Sequence, residues 1–340
     1  MRLFGGKQFG LGTVAMAVLF SWLSVAQGSE PLVVETPNSF AETQVAFSKK
    51  PAELQGTLTL PTKRNGKVPA IVFVGGDEPQ NRTVPAGTEQ MFADLARGLA
   101  QAGVASLRYQ QRPFEFSAPA DPKQLPLDQQ IANDTLAALA YLSRLAEIDS
   151  SAIFVVGHHV GGTMAPYIAE RFPHARGIVL MAAAAQPVEE ALAERKKATL
   201  QAEGLSSEEI SEQLAAQNKI FADIRSGKTP STRLVEGATS AYWRDRMNRD
   251  PGLKARNLQL PVLVLQGGFD KEISEADYDR LELLLRKKRG AIPQFRWFPN
   301  LDHLFMPTAT KPAQASLNHD RHVDGAVIQT VARWIKNQVR

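Results

Sequence analysis

The 340-residue chain has no cysteine. That absence excludes disulfides, and it excludes a lipid-modified cysteine as an anchor, while fitting an oxidising compartment. Basic tracts and basic stripes are missing too. Lys and Arg number 39 against 35 Asp and Glu, a formal net charge of +4. Without Arg2 and Lys7 it is +2. Nucleic acid is therefore not an expected partner. There is no internal repeat, no low-complexity tract, no P-loop and no dinucleotide fingerprint, so no cofactor is expected. Nor is there a clean membrane-spanning run. The apolar stretch Phe9–Leu23 is interrupted by Gly10, Gly12, Thr13 and Ser21, which makes it marginal against the roughly 20 residues a span requires. With Arg2 and Lys7 ahead of it and Ser24-Val25-Ala26 behind, residues 1–26 read as a cleaved secretory signal. The expected location is periplasmic or extracellular, with no stable span after cleavage.

What is present is 44% hydrophobic and 22% charged, enough for one large globular domain with an insertion. Residues 43–48 and 53–60 read as antiparallel strands, the second alternating at Leu54, Gly56, Leu58 and Leu60. The continuous apolar run 70–74 suits a central strand buried on both faces. A helix is predicted over 90–102 from Met91, Leu95 and Leu99, a strand over 104–109, and a helix over 128–145 from Ile131, Leu136, Leu139 and Leu142. A strand over 177–181 follows. The alternation of strand and helix argues for a parallel sheet with helices on both faces. It lapses from Gln186 to Asn257, where the chain is charged and helical and Ser206 with Glu209 forms a capping box. It resumes with strands over 261–266 and 294–298 and helices over 274–288 and 323–339. The expected organisation is a core over 27–185, a helical cap over 186–257 and the rest of the core over 258–340.

The most informative stretch runs from Ile153 to Gly162. Four apolar residues, a turn bracketed by Gly157 and Gly161, and a helix from Thr163 give the strand–turn–helix context of a nucleophile elbow, Gly-x-Ser-x-Gly. The two glycines are needed because the helix packs on the strand where a Cβ would clash. The central residue is His159, where the motif has serine.

Five stretches in order carry a resemblance. They are Gly75-Gly76-Asp77-Glu78-Pro79-Gln80-Asn81-Arg82, Arg108-Tyr109-Gln110-Gln111-Arg112, Gly157-His158-His159-Val160-Gly161-Gly162, Gly267-Gly268-Phe269-Asp270 and Leu301-Asp302-His303-Leu304-Phe305. From about residue 42 onward the chain resembles bacterial α/β-hydrolases of the carboxylesterase, dienelactone-hydrolase and serine-aminopeptidase-like group. The resemblance implies an α/β-hydrolase fold, a mostly parallel doubly wound sheet with a helical cap. It also implies descent from acyl hydrolases and a small acyl-ester ligand or substrate. By it Asp270 is the triad acid, His303 the base, and the backbone of Gly76, Asp77 and Val160 the oxyanion hole. The departures cluster at the site: His159 for serine, Glu78 for a glycine in the oxyanion turn, and Gln110-Gln111 for an Asp-Lys pair.

A serine mechanism needs an Oγ that His159 lacks. Losing a triad nucleophile typically costs about 10⁶ in turnover, so ordinary esterase activity is expected to be weak or absent. Three readings compete. His159 or His303 activates water, or His159 attacks directly, since an imidazole near its ordinary pKa is a competent nucleophile. Alternatively the capped pocket is a binding site without catalysis. In the third reading His159 and His303 hold a metal ion, but a third protein ligand is hard to find in the sequence. Asp270 would bond to His303, and His158 matches the family's ordinary elbow histidine. No metal is therefore expected. His174, His319 and His322 read as surface residues, and Thr163 and Tyr109 as poor substitutes for the missing hydroxyl.

Overall fold

The computed structural model describes residues 39–48, 53–76, 88–111, 125–308 and 321–339. The signal predicted over 1–26, and Asp77, Glu78 and His319, lie outside them. An eight-stranded sheet runs in the order β1-β2-β4-β3-β5-β6-β9-β10. Its strands are β1 (Phe40–Phe47), β2 (Leu54–Pro61), β3 (Val68–Val74), β4 (Ala105–Tyr109), β5 (Ile148–His158), β6 (Ala175–Met181), β9 (Val262–Gly267) and β10 (Gln294–Phe298). A short hairpin, β7 (Leu234–Val235) and β8 (Ala238–Thr239), pairs on its own. In the large sheet β2 is antiparallel to both its neighbours, and every pair from β4 to β10 is parallel.

The sheet separates two apolar layers. On β3 and β5, Val72 and Val155 face one layer, while Ile71, Phe73, Phe154 and Val156 face the other. The first is covered by α2 (Asn133–Leu142), α3 (Val160–Arg171) and α8 (Glu275–Leu285), through Leu139, Met164 and Leu281 among others. The second is covered by α1 (Thr88–Gln101) and α9 (Gly325–Gln338), through Met91, Leu95, Val327 and Trp334. Strands buried on both faces lose their alternation and become continuous apolar runs, as 70–74 did in the sequence. The predicted helix over 128–145 is shorter and begins differently: residues Asp128–Ala132 wind as a π-turn, and regular α-helix occupies only α2.

Between β6 and β9 lie α4 (Val188–Ala202), α5 (Ser207–Arg225), the β7–β8 hairpin, α6 (Ser240–Met247) and α7 (Pro251–Asn257). The Ser206–Glu209 capping box is formed. Phe221, Ile224, Tyr242 and Trp243 are buried in continuity with the first layer. The start of this segment is pinned by Asp277 on α8, whose Oδ1 accepts the N–H groups of Ala185 at 2.7 Å and Gln186 at 2.8 Å. Farther on, Asp245 accepts the N–H of Leu127 at 2.7 Å. Among the described residues, no helix is long and apolar enough to cross a membrane.

Candidate active site

The site is built at the ends of β5, β9 and β10. β5 runs into α3 through a single residue, His159, whose backbone stands at φ 55°, ψ −119°. That left-handed conformation is unfavourable for any residue with a Cβ and persists only where its surroundings enforce it. Here the His159 N–H donates to the Met181 carbonyl at 3.1 Å, and its own carbonyl accepts from the Thr163 N–H at 3.1 Å. The flanking glycines allow the approach. A Cβ at Gly157 would lie 2.2 Å from the Gly161 carbonyl oxygen, and one at Gly161 would lie 2.1 Å from that of Val74. The turn is thus forced, and the His159 side chain is presented at its tip.

Asp270 and His303 meet as an acid–base pair. His303 Nδ1–H donates to Asp270 Oδ2 at 2.9 Å. The carboxylate is fixed from three more directions. Its Oδ1 accepts the N–H groups of Glu272 (2.8 Å) and Ile273 (2.9 Å), and its Oδ2 accepts the side-chain amide of Gln266 (3.0 Å). Burial alone would raise the Asp270 carboxyl. The hydrogen bond and charge of His303, with the two backbone donors, outweigh it and hold the group below the usual carboxylate range. Asp270 therefore both orients His303 and closes the loop leading into α8.

The rings of His159 and His303 stand perpendicular, with centroids 5.1 Å apart. Burial first, then the charges of Arg246, His303, His158 and Arg195, push the His159 imidazole well below its ordinary pKa. It is neutral at physiological pH. His303 with Nδ1–H on Asp270 directs Nε2 outward, the tautomer a general base requires. The Val160 N–H lies beside Gly76: a Cβ built at Gly76 would be 3.9 Å from Val160 N and 3.8 Å from His159 Cβ. Gln111, one of the departures from the family pattern, is buried and donates to the Gly75 carbonyl at 3.3 Å. Thr163 is tied up, its hydroxyl donating to the Ala184 carbonyl at 2.7 Å. The hydroxyl of Tyr109 bonds to that of Thr135 at 2.7 Å. His322 is exposed and pairs with Asp94 at 3.1 Å.

A cavity of about 420 Å³ opens above His159, Asp270 and Glu272 and is walled by α4 and α6. Its lining mixes the apolar faces of Val188, Leu192 and Trp243 with charges of both signs, Arg195, Arg246 and Arg249 among the bases and Glu194, Glu236 and Glu272 among the acids, a composition suited to a ligand with an apolar body and polar groups that fix its orientation.

A sheet with β2 alone reversed, a strained elbow after β5, an acid after β9 and a histidine after β10 defines an α/β-hydrolase. The family described as serine aminopeptidase, S33, matches residues 86–307. Esterase EstD of Thermotoga maritima is 32% identical over 300 residues, spanning 88% of this chain and 68% of its own. The chain belongs to this esterase-like family of α/β-hydrolases. Among solved structures, Est1E from Butyrivibrio proteoclasticus aligns with a TM-score of 0.54 at 14% identity, covering 87% of this chain and 98% of that one. Its complex with ferulic acid gives 0.57 at 14% identity over 87% and 99%. The protein PA2218 of Pseudomonas aeruginosa gives 0.56 at 17% identity over 88% and 94%. At these identities the likeness is one of fold.

Two side chains gain a role that the sequence did not reveal. His158 matches an ordinary family position and was assigned no special task. It is buried, and its Nε2–H donates to the His303 carbonyl at 2.9 Å, fixing the loop that carries the base. Burial pushes its pKa down to about 3, assisted by the charge of His303. Glu272 reaches back from the loop after β9, its Oε2 3.5 Å from His303 Nε2 and 3.9 Å from His159 Nδ1. The only sequence signal for it was its place two residues after Asp270.

Proposed function

We propose that this protein binds a small acyl ester in its capped cavity and has lost the serine mechanism of its relatives, and that it works outside the cytoplasm. The observation that carries the proposal is His159 at the tip of the strained elbow, above an oriented Asp270–His303 pair. The elbow strain is maintained although no hydroxyl is there to profit from it. The esterase relative and the ferulic acid bound by the fold neighbour Est1E support an acyl compound as the ligand class. The mixed apolar and charged walls of the cavity, which carry both signs, favour one with a polar end.

The test is hydrolysis of a short p-nitrophenyl ester by the purified protein, beside His159→Ser and His303→Ala. Wild type is expected to be near background. His159→Ser restores an Oγ within reach of a preassembled base and is expected to gain turnover by orders of magnitude, since nucleophile loss costs about 10⁶. Turnover in wild type that both substitutions abolish would sink the proposal and assign chemistry to the imidazole itself. Export is tested separately, by fractionating cells that express the full chain and finding whether the product is shortened at its amino terminus.

A further inference from the structure

The sequence offered two histidines for a metal ion and no third ligand. The fold supplies one. Donor atoms of His159, Glu272 and His303 all lie within 4.8 Å of one another. Glu272 Oε2 stands 3.5 Å from His303 Nε2 and 3.9 Å from His159 Nδ1. In a tetrahedral site with bonds of about 2.0–2.1 Å, neighbouring ligand atoms are roughly 3.3–3.4 Å apart. Two edges are thus within about half an ångström of that geometry. The third edge, between the two imidazoles, lies within 4.8 Å. Closing it takes a turn of the rings, which are largely buried, while the half-exposed Glu272 side chain is able to follow.

The outer contacts are those a metal-bound histidine uses. His303 gives its Nδ1–H to Asp270, so the tautomer presents the Nε2 lone pair toward Glu272. A carboxylate behind a ligating imidazole fixes its orientation and raises its basicity. Asp270 is held in turn by Gln266 and two backbone N–H groups. The Glu272 backbone is anchored as well, its carbonyl accepting from Arg195 at 2.6 Å. Charge also balances, since the carboxylates of Asp270 and Glu272 together neutralise a dication.

We propose that His159, His303 and Glu272 form a site for one divalent transition-metal ion of the zinc class, with the open coordination position facing the capped cavity. The donor set is two imidazoles and one carboxylate, which suits zinc. His159 and Glu272 both line the cavity, so a water or a carboxylate oxygen from a bound ligand completes the coordination. The substitution that removes the serine route is the same one that adds the imidazole ligand. The inference thereby deepens the proposed loss of the serine mechanism and rests on it.

The experiment is a titration of chelator-treated protein with zinc and, for spectroscopy, with cobalt. Wild type is expected to bind one equivalent and to show the intense visible bands of four-coordinate cobalt. Glu272→Gln removes a charged ligand at a half-exposed position and is expected to weaken binding about 100-fold or more, with its unfolding temperature in the absence of metal unchanged. Asp270→Asn leaves all three ligands in place and should weaken binding by about 10–100-fold, because only the orientation of His303 suffers. A zinc-dependent rise in wild-type Tm, absent in Glu272→Gln, is the second readout. Wild type that binds zinc no more tightly than Glu272→Gln would overturn the site. Ester turnover by metal-free wild type would instead sink the proposed function by assigning chemistry to the imidazole, and it is read in a separate assay.

Discussion

At the scale of single residues, the site depends on two buried neutral imidazoles, and this makes stability sensitive to acid in a defined window. In the unfolded chain His158 takes up a proton near its ordinary pKa of 6.5, whereas in the folded protein it resists protonation down to about 3. Below 6.5 the unfolded state therefore binds more protons, and stability falls with pH until the folded pKa is reached. Each such histidine contributes a slope of about 1.4 kcal/mol per pH unit in that window. His159, depressed mainly by burial and by Arg246, acts in the same direction. Asp270 adds a further loss at lower pH, since its folded pKa lies below its unfolded value and its contribution fades once it is protonated. Unfolding free energies of wild type and His158→Gln between pH 7 and 4 check this. The variant keeps a donor for the His303 carbonyl but loses one histidine's share of the slope, so the gap between the two proteins narrows as pH falls. A constant gap would refute the assignment. His303 and Asp270 were legible because a family pattern fixes both. Glu272 was not, because its role appears only when β9 and β10 bring their following loops together.

At the scale of elements, the elbow is a tightly constrained junction. Its glycines are dictated by contact distances: at Gly161 a methyl would sit 2.1 Å from the Val74 carbonyl oxygen. Neither neighbour is a side chain that can swing away, so α3 would have to lift off β3. Gly161→Ala is expected to destabilise by about 3 kcal/mol or more, at the upper end of overpacking costs, and denaturant unfolding measures it. Elements were read well where burial leaves a pattern. The central parallel strands showed as apolar runs, and α1 as a stripe. The π-turn before α2 and the two-residue strands of the small hairpin left no trace, since neither changes the periodicity over a long enough window. The loops that carry Asp77 and Glu78 were read from motif alone.

At the scale of the whole molecule, the segment between β6 and β9 is tied to the sheet domain by several polar contacts, such as Tyr167 with Asp250, Arg280 with Asp250 and Leu127 with Asp245, and Asp277 supplies the one at its start. One buried carboxylate accepts two backbone N–H groups where the chain leaves β6. Asp277→Ala strands both donors, each worth about 1–3 kcal/mol when buried without a partner. The expected result is earlier proteolytic cleavage within 186–257, with the sheet domain surviving as a resistant fragment; uniform degradation would refute this division of stability. The chain order of elbow, acid and histidine was legible in the sequence. The walls of the cavity were not, because side-chain directions on α4 and α6 depend on how those helices dock. One contact across that junction has a wider consequence. Arg195 belongs to α4, a wall of the cavity, yet it grips the backbone of Glu272. Any displacement of α4 that admits a ligand must also disturb the residue that completes the histidine cluster. Access and cluster geometry are then linked equilibria. Whatever occupies the cluster changes the affinity of the cavity for its ligand, and the ligand returns the same factor to the cluster.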